Sequence, residues 1–161
     1  MALNNGDRIP ESSFMTMGEK GPQPISTDEI FKGKKVILVS VPGAFTPTCS
    51  NKHLPGYIQK YEEFKQKGID TIACMAVNDA FVMDAWGKAQ GATGKILMLA
   101  DGNGEFAKKI GLEMDASKHG MGTRGKRFSA IVEDGVVKEL NVEAPGEFNV
   151  SSADATVCQL R

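Results

Sequence analysis

The sequence predicts an α/β domain built on a buried sheet, and three observations predict it. Two short, nearly continuous apolar runs, Lys35 to Val41 and Thr71 to Val77, have the β-branched character of strands buried on both faces. Between them Leu54, Tyr57, Ile58, Tyr61 and Phe64 recur at helical spacing. Later, Asp134 and Gly135, which both accept positive φ in a two-residue turn, join Arg127–Glu133 to Val136–Val142 as a hairpin. The 161 residues, 41% of them apolar, suffice for one core, and no repeat or Pro/Ser-rich linker interrupts them, so residues 1–161 are expected to form one domain. Glycine, 18 of 161, fits many tight turns rather than a hinge.

Taken in order, the first 30 residues are expected to add a hairpin and a short helical turn on one sheet edge. The strand Lys35–Val41 follows, then a turn from Pro42 to Pro47. A helix begins at Thr48 and stops at Gly68, and Pro55 should kink it, because proline cannot bond back to the Asn51 carbonyl. After the strand Thr71–Val77, Asn78 or Asp79 can cap a helix running to about Gln90. Ile96–Ala100 is a third strand and Asn103–Ile110 a short helix. Beyond the hairpin, Ser151 with Asp154 three residues later forms a capping-box variant that opens a last helix to about Leu160. Strand, helix, strand, an inserted helix-strand-helix, hairpin and closing helix is the order of a thioredoxin fold with an N-terminal extension and an insertion. In such sheets the reactive site lies beyond the carboxyl end of a central strand, where it feeds a helix.

Charge and cysteine usage narrow the function classes. Nineteen basic residues against 20 acidic ones leave a net charge of −1, too balanced for the concentrated positive field that nucleic acid or an anionic membrane requires. No stretch reaches the length of a bilayer span, and Met1 to Pro10 is polar and lacks a signal-peptide core, which leads to the expectation of a cytoplasmic chain. Under that expectation Asn149-Val150-Ser151 is an empty glycosylation pattern. Gly120 to Gly125 matches G-x-G-x-x-G but precedes a strand, the wrong context for a nucleotide. Cys49, Cys74 and Cys158 form neither a C-x-x-C pair nor an even framework, so each is an inert small hydrophobe or a nucleophile.

Cys49 has the setting of a nucleophile. It follows the turn Val41-Pro42-Gly43-Ala44-Phe45-Thr46-Pro47-Thr48 and falls in the first helical turn. There, unpaired amides and the helix dipole stabilise a thiolate, an effect that can lower a thiol pKa from about 8.5 to roughly 3.5–7.5. Thr46 occupies the place where a thioredoxin has its first cysteine, which argues against dithiol exchange. Its hydroxyl can bond an oxygen brought near the sulfur, while Pro42 and Pro47 stiffen the turn. Because Pro55 leaves Cys49 on a short leading segment, that segment can unwind at small cost. A positive charge is also wanted beside the sulfur, but strand periodicity does not choose among Arg124, Lys126 and Arg127, which end a long loop from Gly111.

Pro42-Gly43-Ala44-Phe45-Thr46-Pro47-Thr48-Cys49 resembles the P-x-x-x-T-x-x-C active site of peroxiredoxins, and is most similar to the peroxiredoxin 5 subfamily, which includes the plant type II enzymes. The resemblance extends through Cys49–Gly56, Val77–Val82, Leu99–Gly102, Gly122–Ser129 and Asn141–Glu143, nearly the whole chain. It implies a thiol-dependent peroxidase acting on hydrogen peroxide and alkyl hydroperoxides, with no metal or organic cofactor. By position, Cys49 matches the peroxidatic cysteine, Thr46 the hydroxyl that bonds peroxide oxygen, Pro42 the pocket shield and Arg127 the guanidinium beside sulfur. Arg124 is left a supporting role. A thiolate that expels hydroxide or alkoxide needs donors where negative charge develops, so the chemistry asks for the same residue types. A peroxide sensor that relays oxidation to a partner by mixed disulfide is the alternative, since it shares the first step.

Animal-type relatives carry a resolving cysteine before the last helix, where this chain has Val150 within Gly146–Ser152. The resemblance to plant-type members therefore implies resolution by external thiol, from glutathione with glutaredoxin or from thioredoxin. Cys74 is expected to be a buried mid-strand thiol and Cys158 to face solvent, offset from the Ala153, Val157 and Leu160 stripe. His53, on the Cys49 helix face, is read as a packing or capping residue that could also bond the active segment. Trp86, Phe81 and Phe45 are core candidates, although in relatives the Cys49 loop and nearby turns form a dimer face, and a homodimer is expected.

Overall fold

The computed structural model describes residues 2–160, so Met1, at the head of the polar leading segment, and Arg161 lie outside the description. The hairpin β1 (Ser13–Gly18) and β2 (Gly21–Ser26) opens the fold and leads into α1 (Thr27–Phe31), where Ser26 and Glu29 form a reciprocal capping box. The centre is made of β3 (Lys35–Ser40), β4 (Thr71–Ala76) and β5 (Ile96–Ala100), which run parallel. Between β3 and β4 lie α2 (Leu54–Gln59) and α3 (Tyr61–Gln66); α4 (Ala80–Gln90) precedes β5 and α5 (Glu105–Lys109) follows it. A two-stranded ribbon, β6 (Glu113–Asp115) with β7 (Thr123–Gly125), occupies much of the expected loop from Gly111. The chain closes with β8 (Phe128–Glu133), β9 (Val136–Val142) and α6 (Ala153–Gln159). The main sheet runs β2-β1-β5-β4-β3-β8-β9, with the N-terminal hairpin on one edge as expected.

Side-chain alternation along the central strands divides the core into two layers. Ile37 and Val39 of β3 and Ile72, Cys74 and Ala76 of β4 face the layer formed with α2, α3, α4 and α6. Val36 and Leu38, with Ala73 and Met75, face the opposite layer, filled by Phe14, Ile30, Phe31 and Phe106. Cys49 and Cys74 thus belong to the same layer, while Cys158 is exposed on α6. The β8–β9 turn has Asp134 at φ 48° and Gly135 at φ 77°, the pair of positive angles that the dipeptide announced.

Several expectations are corrected. The segment from Thr48 is not one helix kinked by Pro55. Cys49–His53 forms a π turn closed by the Leu54 amide on the Cys49 carbonyl, and Pro55 sits in the first turn of α2, where its missing amide costs least. The interruption falls at Lys60, with φ −97° and ψ 11°. Ser152, not Ser151, caps α6 by accepting from the Ala155 amide, because Ser151 is engaged elsewhere. Asp79 caps α4, and Asn78 instead accepts from the Ala44 amide, tying α4's entry to the turn before Cys49. The fourth helix of the expected pattern begins at Glu105 rather than Asn103, and the hairpin strand at Phe128 rather than Arg127. Trp86 is fully buried, but Phe45 and Phe81 are 57% and 65% exposed and belong to no core. Among the described residues no helix is long and apolar enough to cross a membrane.

Asp101 at the end of β5 is buried and accepts from the Phe106 and Ala107 amides, so it serves α5 as a side-chain cap from beyond the helix start. Asp101→Ala leaves those two amides unpaired and is expected to lower stability by about 1–3 kcal/mol, read as a lower urea midpoint with an unchanged m value.

Candidate active site

The site is built where β3 ends. The Val41 amide still bonds the Met75 carbonyl, after which Pro42 turns the chain away from the sheet. Gly43 leaves room for its surroundings: a Cβ there would lie 3.0 Å from Arg124 Nη1, 3.2 Å from the Thr46 methyl and 3.3 Å from Met121 Cε. Arg124 Nη1 donates to the Pro42 carbonyl at 3.3 Å and Nε to the Met121 carbonyl at 2.9 Å, so this arginine braces the turn. Phe45 holds φ at 65°, a left-handed conformation uncommon outside glycine. The Thr46 hydroxyl donates to the Gly43 carbonyl at 2.7 Å, which commits its hydrogen and leaves its lone pairs to accept from an incoming hydroxyl. Helical residues start at Pro47, placing Cys49 in the first turn, as the sequence implied.

Cys49 is 0% exposed and receives a hydrogen bond from Arg127 Nη2 at 3.1 Å. Arg127 immediately precedes β8, whose antiparallel pairing with β3 sets Phe128 opposite Ser40 and brings the guanidinium to the Cys49 turn. Neither Arg124 nor Lys126 takes that position, so the structure resolves the three-way choice that periodicity left open. Among the described residues no carboxylate forms an ion pair with Arg127. Its Nη1 instead donates to His53 Nδ1 at 2.8 Å, and the guanidinium lies 6.0 Å from the Phe148 ring centre. A cavity of about 350 Å³ opens over this floor, lined by Pro42, Thr46 and Arg127 and walled by Met114, Met121 and Pro145. Of the four sequence-chosen residues, Pro42, Thr46 and Arg127 line this cavity, and Cys49, buried, is joined to them through Arg127.

Two residues carry more of the site than the sequence suggested. His53 is buried and does more than pack, since its Nε2 bonds the Ser151 carbonyl at 3.0 Å while Nδ1 meets Arg127. Its spacing of four from Cys49 was the available signal. Glu143 accepts from the Asn149 amide at 2.7 Å and from the Ser151 amide and hydroxyl at 2.8 and 2.6 Å, and its own amide bonds the Arg127 carbonyl. Desolvation pushes the Glu143 carboxyl up, but the Ser151 hydroxyl and the amides of Ser151 and Asn149 outweigh it and hold the group below its ordinary range. No local pattern identifies this contact. Cys74 is fully buried, and desolvation pushes its thiol far upward, away from reactivity. Val150, at the position of an animal-type resolving cysteine, is exposed.

Burial, assisted by the Arg127 charge, pushes the His53 imidazole down from 6.5 to about 3. Below pH 6.5 the unfolded chain therefore binds a proton that the folded chain does not, and stability falls as pH falls. Between pH 6 and 5, wild type is expected to lose about 1 kcal/mol more unfolding free energy than His53→Asn, measured by urea denaturation at both pH values. Equal losses would mean that His53 is not held neutral.

Comparison with known proteins places this geometry. The Redoxin family model matches residues 4–157. Peroxiredoxin-2B of Arabidopsis thaliana is 49% identical over 150 residues, covering 92% of this chain and 93% of that protein. The structure of reduced Prx3 from Vibrio vulnificus in complex with hydrogen peroxide is 48% identical with a TM-score of 0.95 over 99% of each chain. Peroxiredoxin 5 from Alvinella pompejana is 38% identical with a TM-score of 0.86, over 98% of this chain and 97% of that one. A thioredoxin-fold sheet and a cysteine–arginine contact on a helix's first turn thus sit within nearly full-length kinship, and the chain belongs to the redoxin family as a peroxiredoxin, a thiol-dependent peroxidase.

Proposed function

We propose that Cys49 is the nucleophile of this peroxidase and that hydrogen peroxide and alkyl hydroperoxides are its substrates. The observation that carries the reading is the Arg127 Nη2 contact to Cys49 Sγ at 3.1 Å, made by an arginine that also lines the cavity with Pro42 and Thr46. A hydroperoxide entering over Pro42 offers its O–H to Thr46, whose own hydrogen is committed to Gly43. The thiolate attacks that oxygen, the O–O bond breaks, and the departing hydroxide or alkoxide takes up a proton from solvent, leaving cysteine sulfenic acid and water or an alcohol. Arg127 stabilises the thiolate and then the developing negative oxygen. Pro42 shields the reacting sulfur from bulk water.

The sulfenic acid then condenses with an external thiol, releasing water and forming a mixed disulfide, which a second thiol reduces to restore Cys49. Glutathione with glutaredoxin, or thioredoxin, is the proposed source. Burial of Cys74 and the absence of cysteine from Gly146–Ser152 support resolution from outside the chain. No observation favours a sensor that only relays oxidation. A cytoplasmic setting, where such reductants are available, belongs to the same proposal. So does a homodimer, supported by exposed Phe45 on the Cys49 turn and Phe81 at the start of α4.

Three outcomes test this. Peroxide consumption is expected to vanish in Cys49→Ser and to fall roughly 100-fold or more in Arg127→Lys. Cys74→Ser and Cys158→Ser are expected to keep full turnover with glutathione plus glutaredoxin, with thioredoxin plus its reductase, and with dithiothreitol. Loss of thioredoxin-supported activity in one of them would identify that cysteine as resolving. By sedimentation, wild type is expected to be a dimer and Phe45→Ser to dissociate at higher concentration; a monomeric wild type refutes the assembly.

A further inference from the structure

The contact between Arg127 and His53 fixes the state of the imidazole. A guanidinium has no acceptor and stays charged, so the 2.8 Å contact requires Nδ1 without hydrogen. Nε2 then carries the hydrogen and donates to the Ser151 carbonyl at 3.0 Å. Both nitrogens are committed, and the ring is held between Phe148, edge-on at 5.1 Å, and Tyr57 at 5.8 Å.

The acceptor on Arg127 is a neutral ring although a carboxylate is close by. Glu143 faces the same region from the end of β9, but its Oε2 accepts from Asn149 and Ser151, and among the described residues no ion pair joins it to Arg127. Tyr57, the other titratable group packed on the ring, donates to the Ser151 carbonyl at 2.7 Å. A carboxylate beside Arg127 would anchor it as well and would cancel the charge that a thiolate and a developing oxyanion need. A histidine with one free lone pair anchors without cancelling.

We infer that His53 is a positioning residue for peroxide reduction, aiming Arg127 at Cys49 through Nδ1 while leaving the guanidinium charge unspent. It rests on the roles proposed above for Cys49 and Arg127. Since His53 lies on the same π turn as Cys49, opening that turn for resolution removes the anchor from Arg127 at the moment when the arginine has finished its work on the peroxide.

The step to measure is single-turnover oxidation of Cys49 by hydrogen peroxide without any reducing thiol. Trp86 supplies the signal: it is the one tryptophan, and its Nε1 donates at 2.9 Å to the hydroxyl of Ser50, next to Cys49. His53→Asn places Oδ1 where Nδ1 lies and keeps an acceptor for Arg127 but loses Ser151. His53→Gln reaches Ser151 and withholds that acceptor, and His53→Asp supplies the acceptor with a negative charge.

The second-order rate constant is expected to stay within about threefold of wild type in His53→Asn and to fall on the order of 10- to 100-fold in His53→Gln and His53→Asp. A residue that only packs would slow Asn and Gln alike, and that result, or wild-type speed in Gln, would overturn the inference. An Asp rate equal to that of Asn would overturn its charge-sparing part. Arg127→Lys is the reference: if it reacts at the wild-type rate, the role of Arg127 fails, whereas a slow Arg127→Lys beside a fast His53→Gln defeats only the role of His53.

Discussion

The site depends on one uncancelled positive charge held still. Arg127 donates one way to the Cys49 sulfur and the other way to a buried neutral imidazole, and among the described residues no carboxylate pairs with it. A charged group in a half-buried place is costly unless its hydrogen bonds are satisfied, and those bonds also determine where the charge points. The nearby carboxylate, Glu143, is diverted to loop amides, and so it organises the wall without neutralising the floor.

Holding that arrangement is a task for the whole sheet. Pairing of β8 with β3 brings Arg127 to the end of the strand that feeds Cys49, and the Glu143 amide fixes the Arg127 carbonyl from the far side. The Asn78 side chain and Arg124 brace the turn between Pro42 and Thr46 from two more directions. The reactive turn is thus local in sequence and over-determined by elements distant from it. The same turn is a π segment, a rare geometry found mostly as single turns within helices, leading directly into α2. Under the proposed mechanism peroxide reduction uses the closed turn, and condensation with an external thiol needs the fully buried Cys49 to emerge. The turn's side chains are tied to the rest of the fold through His53, which bonds Arg127 and the Ser151 carbonyl.

Much of this was legible in the sequence. Continuous apolar runs, helical spacing and the Asp134-Gly135 turn determined the element order, since strand and helix periodicities are properties of neighbouring residues. The run from Pro42 to Cys49 announced a thiol at a helix start with a hydroxyl beside it, again because those features lie within one turn. Sequence erred where competition between distant partners decides. Ser151 looked like the α6 cap, but Glu143 claims its amide and hydroxyl, so Ser152 caps instead. Phe45 and Phe81 have core composition, yet neither lies on an inward face.

The sequence by itself determined a thiol at a helix start, its hydroxyl neighbour and the family pattern, all carried by short stretches whose geometry is local. Periodicity left open which cation reaches the sulfur and the family resemblance named Arg127; the tertiary structure shows that Arg127 makes the contact and that His53 bonds this arginine rather than merely filling space. The physical reason is that Arg124, Lys126 and Arg127 lie within four consecutive residues, while the register of β8 against β3 gives one of them the 3.1 Å contact. Register is a property of the sheet, and composition along one segment does not contain it.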